Sequence, residues 1–274
     1  MFENVVPTVF AGSFRSPEGP SFDHQGRLHF VDLEAGSIYR VTPKGEASLF
    51  VNTGGRPNGS KFRRDGHLFV TDAGRGEILD ISPDGAIRVA ASGWRGGCFR
   101  GPNDLVFAAN GDLYFTDPEG SGPENPVGNV FILRRDGSVE WFAGGLRYPN
   151  GILFADDGQT LYVSETYPNR ILAFELDEKG HERSRRVFAQ LEGGLGPDGM
   201  AFGRDGNLYV AHFNKGVVEV VDPEGSPIAE LPAGGMRPTN VAFWEDCLYV
   251  TEFEKGQVTR LEIGVEGQVL YGLS

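Results

Sequence analysis

Residues 197–212 read PDGMAFGRDGNLYVAH, and the pattern in this stretch recurs along the whole chain. Residues 57–72 (PNGSKFRRDGHLFVTD) and 102–117 (PNDLVFAANGDLYFTD) keep its frame. The leading proline stands at Pro17, Pro57, Pro102, Pro149, Pro197 and Pro238, in steps of 40, 45, 47, 48 and 41 residues. Five residues after each comes a phenylalanine: Phe22, Phe62, Phe107, Phe154, Phe202 and Phe243. A turn follows, then Leu28, Leu68, Leu113, Leu161, Leu208 or Leu248. Four residues on lies Asp32, Asp72, Asp117, Glu165, His212 or Glu252. Repeats at such a period must be read before any single segment.

Each unit is built from strands. Asp65-Gly66, Asn110-Gly111, Asp157-Gly158 and Asp205-Gly206 supply the positive φ of a tight hairpin turn. The flanking runs, such as Leu68–Thr71 and Leu208–Val210, are aromatic and β-branched. A third strand is expected at Ser37–Val41, Glu77–Ile81, Val130–Arg134, Arg170–Phe174, Val217–Val221 and Gln257–Leu261, and a fourth follows a further Gly turn, as in Val139–Ala143 and Arg186–Ala189. Four short antiparallel strands per unit of this length make a propeller blade. The expected fold is therefore all-β, a six-bladed β-propeller forming one domain over residues 1–274. Thr8–Ala11 resembles a stray fourth strand that would close the last blade and remove its open edge, with Val269–Tyr271 as its competitor.

Composition narrows the function. Thirty-eight acidic residues against 25 basic ones leave a net charge of −13, which disfavours nucleic-acid phosphates and anionic lipid surfaces as partners. No apolar run is long enough to cross a bilayer, and no basic-then-apolar leader opens the chain. Two cysteines far apart, Cys98 and Cys247, suit a reducing compartment, so a cytoplasmic protein, monomer or homodimer, is expected. No GxSxG, HExxH, phosphate-binding or dinucleotide fingerprint is present.

In a propeller the innermost strand starts at the mouth of the central channel. The residues after the repeat prolines are Glu18, Asn58, Asn103, Asn150, Asp198 and Thr239, and all six carry a side-chain oxygen. Carboxylates crowded into a narrow channel are costly unless compensated. A hydrogen-bonded plug with water is one solution; a dication balancing Glu18 and Asp198 is the other. Oxygen donors without Cys or His favour a hard ion, and an irregular mixed set suits Ca²⁺ better than Mg²⁺. Gly19, Gly59, Gly151 and Gly199 follow four ring residues, as positive-φ turns or as free space; Asp104 and Asn240 replace them in the other two. In the second ring, Asp32 to Glu252, most members are expected to brace loops, while His212, its only imidazole, is a candidate proton donor and substrate contact. The long segments Ser92–Gly101 and Pro118–Asn129 are expected over the site, with Arg100, Arg147 and Arg237 at its rim and Trp94, Phe99, Tyr167 and Phe213 near its mouth.

Ser16-Pro17-Glu18-Gly19-Pro20, Pro102-Asn103-Asp104, Tyr148-Pro149-Asn150-Gly151 and Pro197-Asp198-Gly199, in this order and spacing, resemble the senescence marker protein/gluconolactonase (regucalcin-like) family, with diisopropyl fluorophosphatase as a more distant relative. The resemblance spans essentially the whole chain. It implies a bound metal, usually Ca²⁺ with Zn²⁺, Mg²⁺ or Mn²⁺ as substitutes, on Glu18, Asn150 and Asp198. Asn103 is implied to touch metal or substrate, and Asp198 to act as base or nucleophile. Sugar-lactone members carry an Arg two residues before the Asn of the third blade; here that place is Gly101, with Arg100 one position away. The implied activity is a metal-dependent hydrolase opening a lactone or related small cyclic ester, with Asn103, Arg100, Asp117 and His212 as candidate substrate contacts. A phosphotriesterase on the same site, and a non-catalytic metal-binding or scaffold propeller, are the alternatives.

Overall fold

The computed structural model describes residue 2 and residues 4–270. Among these there is no helix. Six four-stranded antiparallel sheets follow one another, each running from an innermost to an outermost strand in chain order. The innermost strands are Pro17–Phe22, Pro57–Phe62, Leu105–Phe107, Pro149–Phe154, Gly196–Phe202 and Pro238–Trp244. The sixth sheet is completed from the other end of the chain: Thr8–Gly12 pairs with Gln257–Glu262, matching Thr8 with Arg260 and Gly12 with Gln257. Of the two candidate closing segments it is the N-terminal one that pairs here, and a single short edge is spent on shutting the ring.

The C-terminal segment takes a different course. Arg204 N donates to Glu266 O (2.8 Å), and Gln268 donates from its main-chain N to Phe202 O (2.9 Å) and from its side chain to Phe154 O (3.3 Å). These residues therefore lie across the far ends of the inner strands; Tyr271, the last residue of the competing segment, falls outside the described residues. Several outer strands also run longer than expected, Glu182–Gln190 and Val139–Leu146 among them, because bulges let each follow its twisted neighbour further.

The core explains the repeat. Six clusters of buried apolar side chains are present among the described residues, each drawn from two neighbouring blades. At every junction the repeat phenylalanine meets the ring that follows the repeat leucine of the preceding blade. The pairs are Phe22–Tyr249, Phe62–His29, Phe107–Phe69, Phe154–Tyr114, Phe202–Tyr162 and Phe243–Tyr209, all near edge-on with centroids 4.9–5.3 Å apart. Each such contact adds about 0.5–1.5 kcal/mol beyond the area it buries. The fixed spacing from proline to phenylalanine to leucine thus records how one blade docks on the next.

Candidate active site

The start of five of the six inner strands carries a bulge. Glu18 pairs with Val31 but Ser21 pairs with His29, so one extra residue is fitted after the ring position; the second, fourth, fifth and sixth blades repeat this irregularity. A bulge re-aims a side chain, and here it falls where each blade presents its ring residue. All six ring residues are buried, Glu18 being 6%, Asn150 5% and Asp198 7% exposed.

The backbone behind them is held from the neighbouring blade. Thr71 Oγ1 donates to Asn103 O, Thr116 Oγ1 to Asn150 O (2.8 Å) and Ser164 Oγ to Asp198 O (2.8 Å). Each hydroxyl belongs to the residue just before a second-ring acid. The Thr-Asp and Ser-Glu pairs were legible in the sequence, although their reach into the next blade was not.

The glycines after the ring residues are there for space. Only Gly19 has a positive φ (51°), so the expected positive-φ turn is corrected for Gly59, Gly151 and Gly199. A Cβ on Gly151 would overlap the Asp198 carbonyl, on Gly59 the Asn103 carbonyl and Asp104, and on Gly199 the Asn240 side chain. Adjacent inner strands approach too closely for any side chain.

Glu18 and Asp198 have their backbone ties to the N–H of the glycine that follows each, whereas Thr239 is tied to a neighbouring strand and blade. Thr239 Oγ1 pairs with Thr251 Oγ1 (2.8 Å) and donates to Pro17 O (3.1 Å). The next residue, Asn240, serves the hub instead, its Nδ2 donating to Glu18 Oε2 and Asp104 Oδ2, both at 3.4 Å. Asn58 Oδ1 and Asn150 Oδ1 are buried without any hydrogen-bond donor, while Asn150 Nδ2 donates to Thr166 Oγ1 (3.3 Å). Orphaned buried carbonyl oxygens are rare and costly.

The hub's electrostatics point the same way. Burial first, then the Asp104 charge, pushes the Glu18 carboxyl up to about 8, against the pull of the Gly19 N–H at 2.5 Å. Asp198 is raised well above the usual carboxylate range by burial and by Glu18 and Asp104, opposed by Gly199 N–H and Asn150. Burial also raises Asp104. Three carboxylates repelling one another beside unmet amide oxygens form a site that lacks positive charge. Among the described residues no three His, Cys, Asp or Glu side chains are arranged to hold a metal, so a cation here must draw on amide oxygens as well.

The second ring is built differently. Asp32 accepts from Arg15 N (2.9 Å) and Ser16 N (3.1 Å), Asp72 from Arg56 N (2.8 Å), Glu165 from Arg147 N (2.6 Å) and Glu252 from Arg237 N (2.9 Å). Asp117 accepts from Gly101 N (2.7 Å) and Arg100 N (3.1 Å). His212 is fully buried, its Nδ1 3.1 Å from Glu219 Oε1 and its Nε2 2.9 Å from Gly193 O. Of the sequence-predicted substrate contacts, Asp117 and His212 are thus occupied in bracing the loop that enters their blade. Asn103 lies in the hub, and Arg100 is exposed at the rim.

The mouth also differs from expectation. Phe99 is buried against Phe115 and Phe131 and does not line it; it anchors the segment that carries the small ribbon Gly93–Trp94/Gly97–Cys98. Tyr148, passed over as part of a motif, is better placed. It is a non-glycine residue with φ of 64°, a conformation that costs roughly 1–3 kcal/mol. Ser121 Oγ accepts from its N–H (3.1 Å), and its ring meets Tyr167 edge-on at 5.5 Å. Its hydroxyl is pushed up to about 12 by burial and by the charges of Asp198, Glu119, Tyr167 and Glu18, so it stays a donor beside the hub. Cavity size alone does not find this place. A groove of about 840 Å³ between the second and third blades and a cavity of about 240 Å³ at the far end of the inner strands both lack the ring residues.

Residues 16–254 match the model of the SMP-30/gluconolactonase/LRE-like region. The chain belongs to this family. Relatives include a gluconolactonase of Zymomonas mobilis, 30% identical over 278 residues, covering 86% of this chain and 75% of its own length. Lactonase drp35 of Staphylococcus aureus is 31% identical over 231 residues, or 78% and 68%. Among solved structures, a gluconolactonase of Xanthomonas campestris superposes with a TM-score of 0.85 at 27% identity, covering 96% and 91%. The family match takes in five ring residues of the hub's mouth and the sixth blade's Thr239 and Asn240.

Proposed function

We propose that this chain is a lactone hydrolase whose single catalytic domain works at the hub with a divalent cation, Ca²⁺ by the chemistry of the donors. The observation that carries this is the pair of orphaned amide oxygens, Asn58 Oδ1 and Asn150 Oδ1, in a ring shared with buried carboxylates that repel one another. Glu18, Asn150 and Asp198 would hold the ion, with Asn103 shared between ion and substrate. Oxygen ligands of mixed kind from separate blades suit Ca²⁺, which accepts irregular coordination. When bound, such an ion polarises the ester carbonyl and neutralises the oxyanion that forms on it.

The chain's own residues supply the rest. Asp198 is the base, taking the proton of the attacking water as the oxygen adds to the carbonyl carbon and returning it to the ring oxygen as the acyl C–O bond breaks. The Tyr148 hydroxyl, protonated and held beside the hub by its strained backbone, donates a hydrogen bond to the substrate. Arg100, exposed at the rim, meets anionic groups of the substrate. Asp117 and His212 act at one remove, by fixing the loops through Gly101 and Gly193. The lactonase and gluconolactonase names of the relatives favour a lactone over a phosphotriester.

A panel of aldonolactones and aryl lactones, assayed before and after EDTA, tests the proposal. Turnover should vanish on chelation and return with Ca²⁺. Undiminished lactone turnover by the chelated enzyme would sink it.

A further inference from the structure

The hub has a second tier below the ring residues. Asp104 and Asn240, 3% and 2% exposed, occupy the positions that are glycine in the other four blades. Asn240 Nδ2 lies 3.4 Å from both Glu18 and Asp104, so a single amide ties together the first, third and sixth blades. Gly199 and Gly59 leave the room for these two side chains, since a Cβ on either would overlap Asn240 or Asp104. The third member is Lys61, on the inner strand Pro57–Phe62 and only two residues past Gly59. It is 8% exposed. Among the described residues no hydrogen bond or ion pair engages its ammonium, which is not sealed in like Asn58 Oδ1 but opens on a cavity. It borders the cavity of about 240 Å³ at the far end of the channel, beside Ser21, Met200 and Val241, and its charge is felt by Asp104 and Glu18.

A lysine without a partner in such a place is explained by the field it stands in. Once ionised, as ligands of a cation are, Glu18, Asp104 and Asp198 bring three negative charges to the hub, and Lys61 sets one positive charge against them. Two negative charges are left for whatever enters from above. Asp104 follows ring residue Asn103, Lys61 lies three residues past Asn58, and both bear on Glu18 through their charge.

We propose that Lys61 and Asp104, held in register by Asn240, form a charge-setting tier that tunes the hub to a doubly charged ion. The tier acts only if the hub binds a cation, as proposed above. A unit charge a few ångströms from an ion, at an effective dielectric near 20, changes its affinity by well over tenfold. Removing the lysine charge leaves three negative charges and should favour a trivalent ion. Removing the Asp104 charge leaves one and should weaken any divalent ion. Removing both restores two.

Calorimetric titration of the chelated, refolded full chain with Ca²⁺ and with Tb³⁺ reads this directly, with Tb³⁺ luminescence as a second signal and no dependence on turnover. Lys61→Met should raise the Tb³⁺ preference over Ca²⁺ by about tenfold or more, and Asp104→Asn should weaken Ca²⁺ binding by a similar factor. The double variant should return the ratio to within about threefold of the parent, and Lys61→Arg should leave it there. A ratio unmoved by Lys61→Met in a protein that still binds one Ca²⁺ overturns the tier alone. If the parent binds neither ion, the cation site itself falls. Should Asp104→Asn not fold, the Lys61→Met and Lys61→Arg pair still decides the matter.

Discussion

Two rings of buried polar side chains encircle the same channel, and they share burial and acidity but little else. The outer ring, from Asp32 to Glu252, is fully employed: its carboxylates accept main-chain N–H groups of the loop entering the same blade. The inner ring leaves Asn58 Oδ1 and Asn150 Oδ1 without donors and holds Glu18 and Asp198 against their mutual repulsion. A buried acid is therefore a poor marker of a site by itself. On the function proposed above, what separates site from scaffold is whether its hydrogen-bonding capacity is spent inside the protein.

The sharpest way to break this contrast is Asp198→Asn. It should lower kcat for a lactone by about 10²–10⁴-fold, the usual worth of a general base, while the melting temperature of the chelated protein holds or rises because a repelled buried charge has gone. A variant that keeps parental turnover with metal bound would move Asp198 out of the reaction.

The outer ring should show the reverse. Asp72→Ala strands the N–H groups of Arg56 and Arg75 and the Thr53 hydroxyl, which Asp72 now satisfies at 2.7–3.0 Å. Denaturant unfolding should register a loss of about 2–4 kcal/mol, with kcat per folded molecule nearly unchanged. Lost activity without lost stability would erase the distinction between the rings.

A pH series sharpens it further. Glu18 in the folded, metal-free chain titrates at about 8, above its ordinary value of 4.5. The folded state thus holds a proton that the unfolded chain has released, and metal-free stability should fall as pH rises from 4.5 to 8. Added Ca²⁺, or Glu18→Gln, should flatten that slope in thermal melts across the range. The smallest effect is expected at His212→Gln. Its loop contacts at Gly193 and Glu219 predict roughly 1 kcal/mol of lost stability, with kcat and KM within about threefold. A collapse of kcat in a folded His212→Gln protein would restore the histidine as a proton donor.

The sequence made the strands and their order legible because these rest on local chemistry, while the choice between Thr8–Ala11 and Val269–Tyr271 as closing strand was left to the structure. Turn dipeptides and alternation carry their meaning within a few residues. Even the inner ring could be named in advance, since position in the repeat places it. Thr239 was named with the rest, yet its hydroxyl is spent on Thr251 and Pro17, and Asn240 reaches the hub in its stead. Asp117 and His212 read as site residues because the chain does not say which way a side chain at a strand end will turn. Tyr148 was passed over because a left-handed φ at a tyrosine has no signature in the sequence.

By itself, then, the chain determined six blades and the family in which that pattern recurs. Tertiary structure alone decided which of the ring oxygens meet, which are tied back to a neighbouring blade, and that the charge of Lys61 bears on Glu18 and Asp104. Strands are set by interactions a few residues long, whereas the hub joins atoms up to 222 residues apart, as Glu18 and Asn240 are. Such a meeting depends on how closely every inner strand packs on the next, which no single repeat encodes.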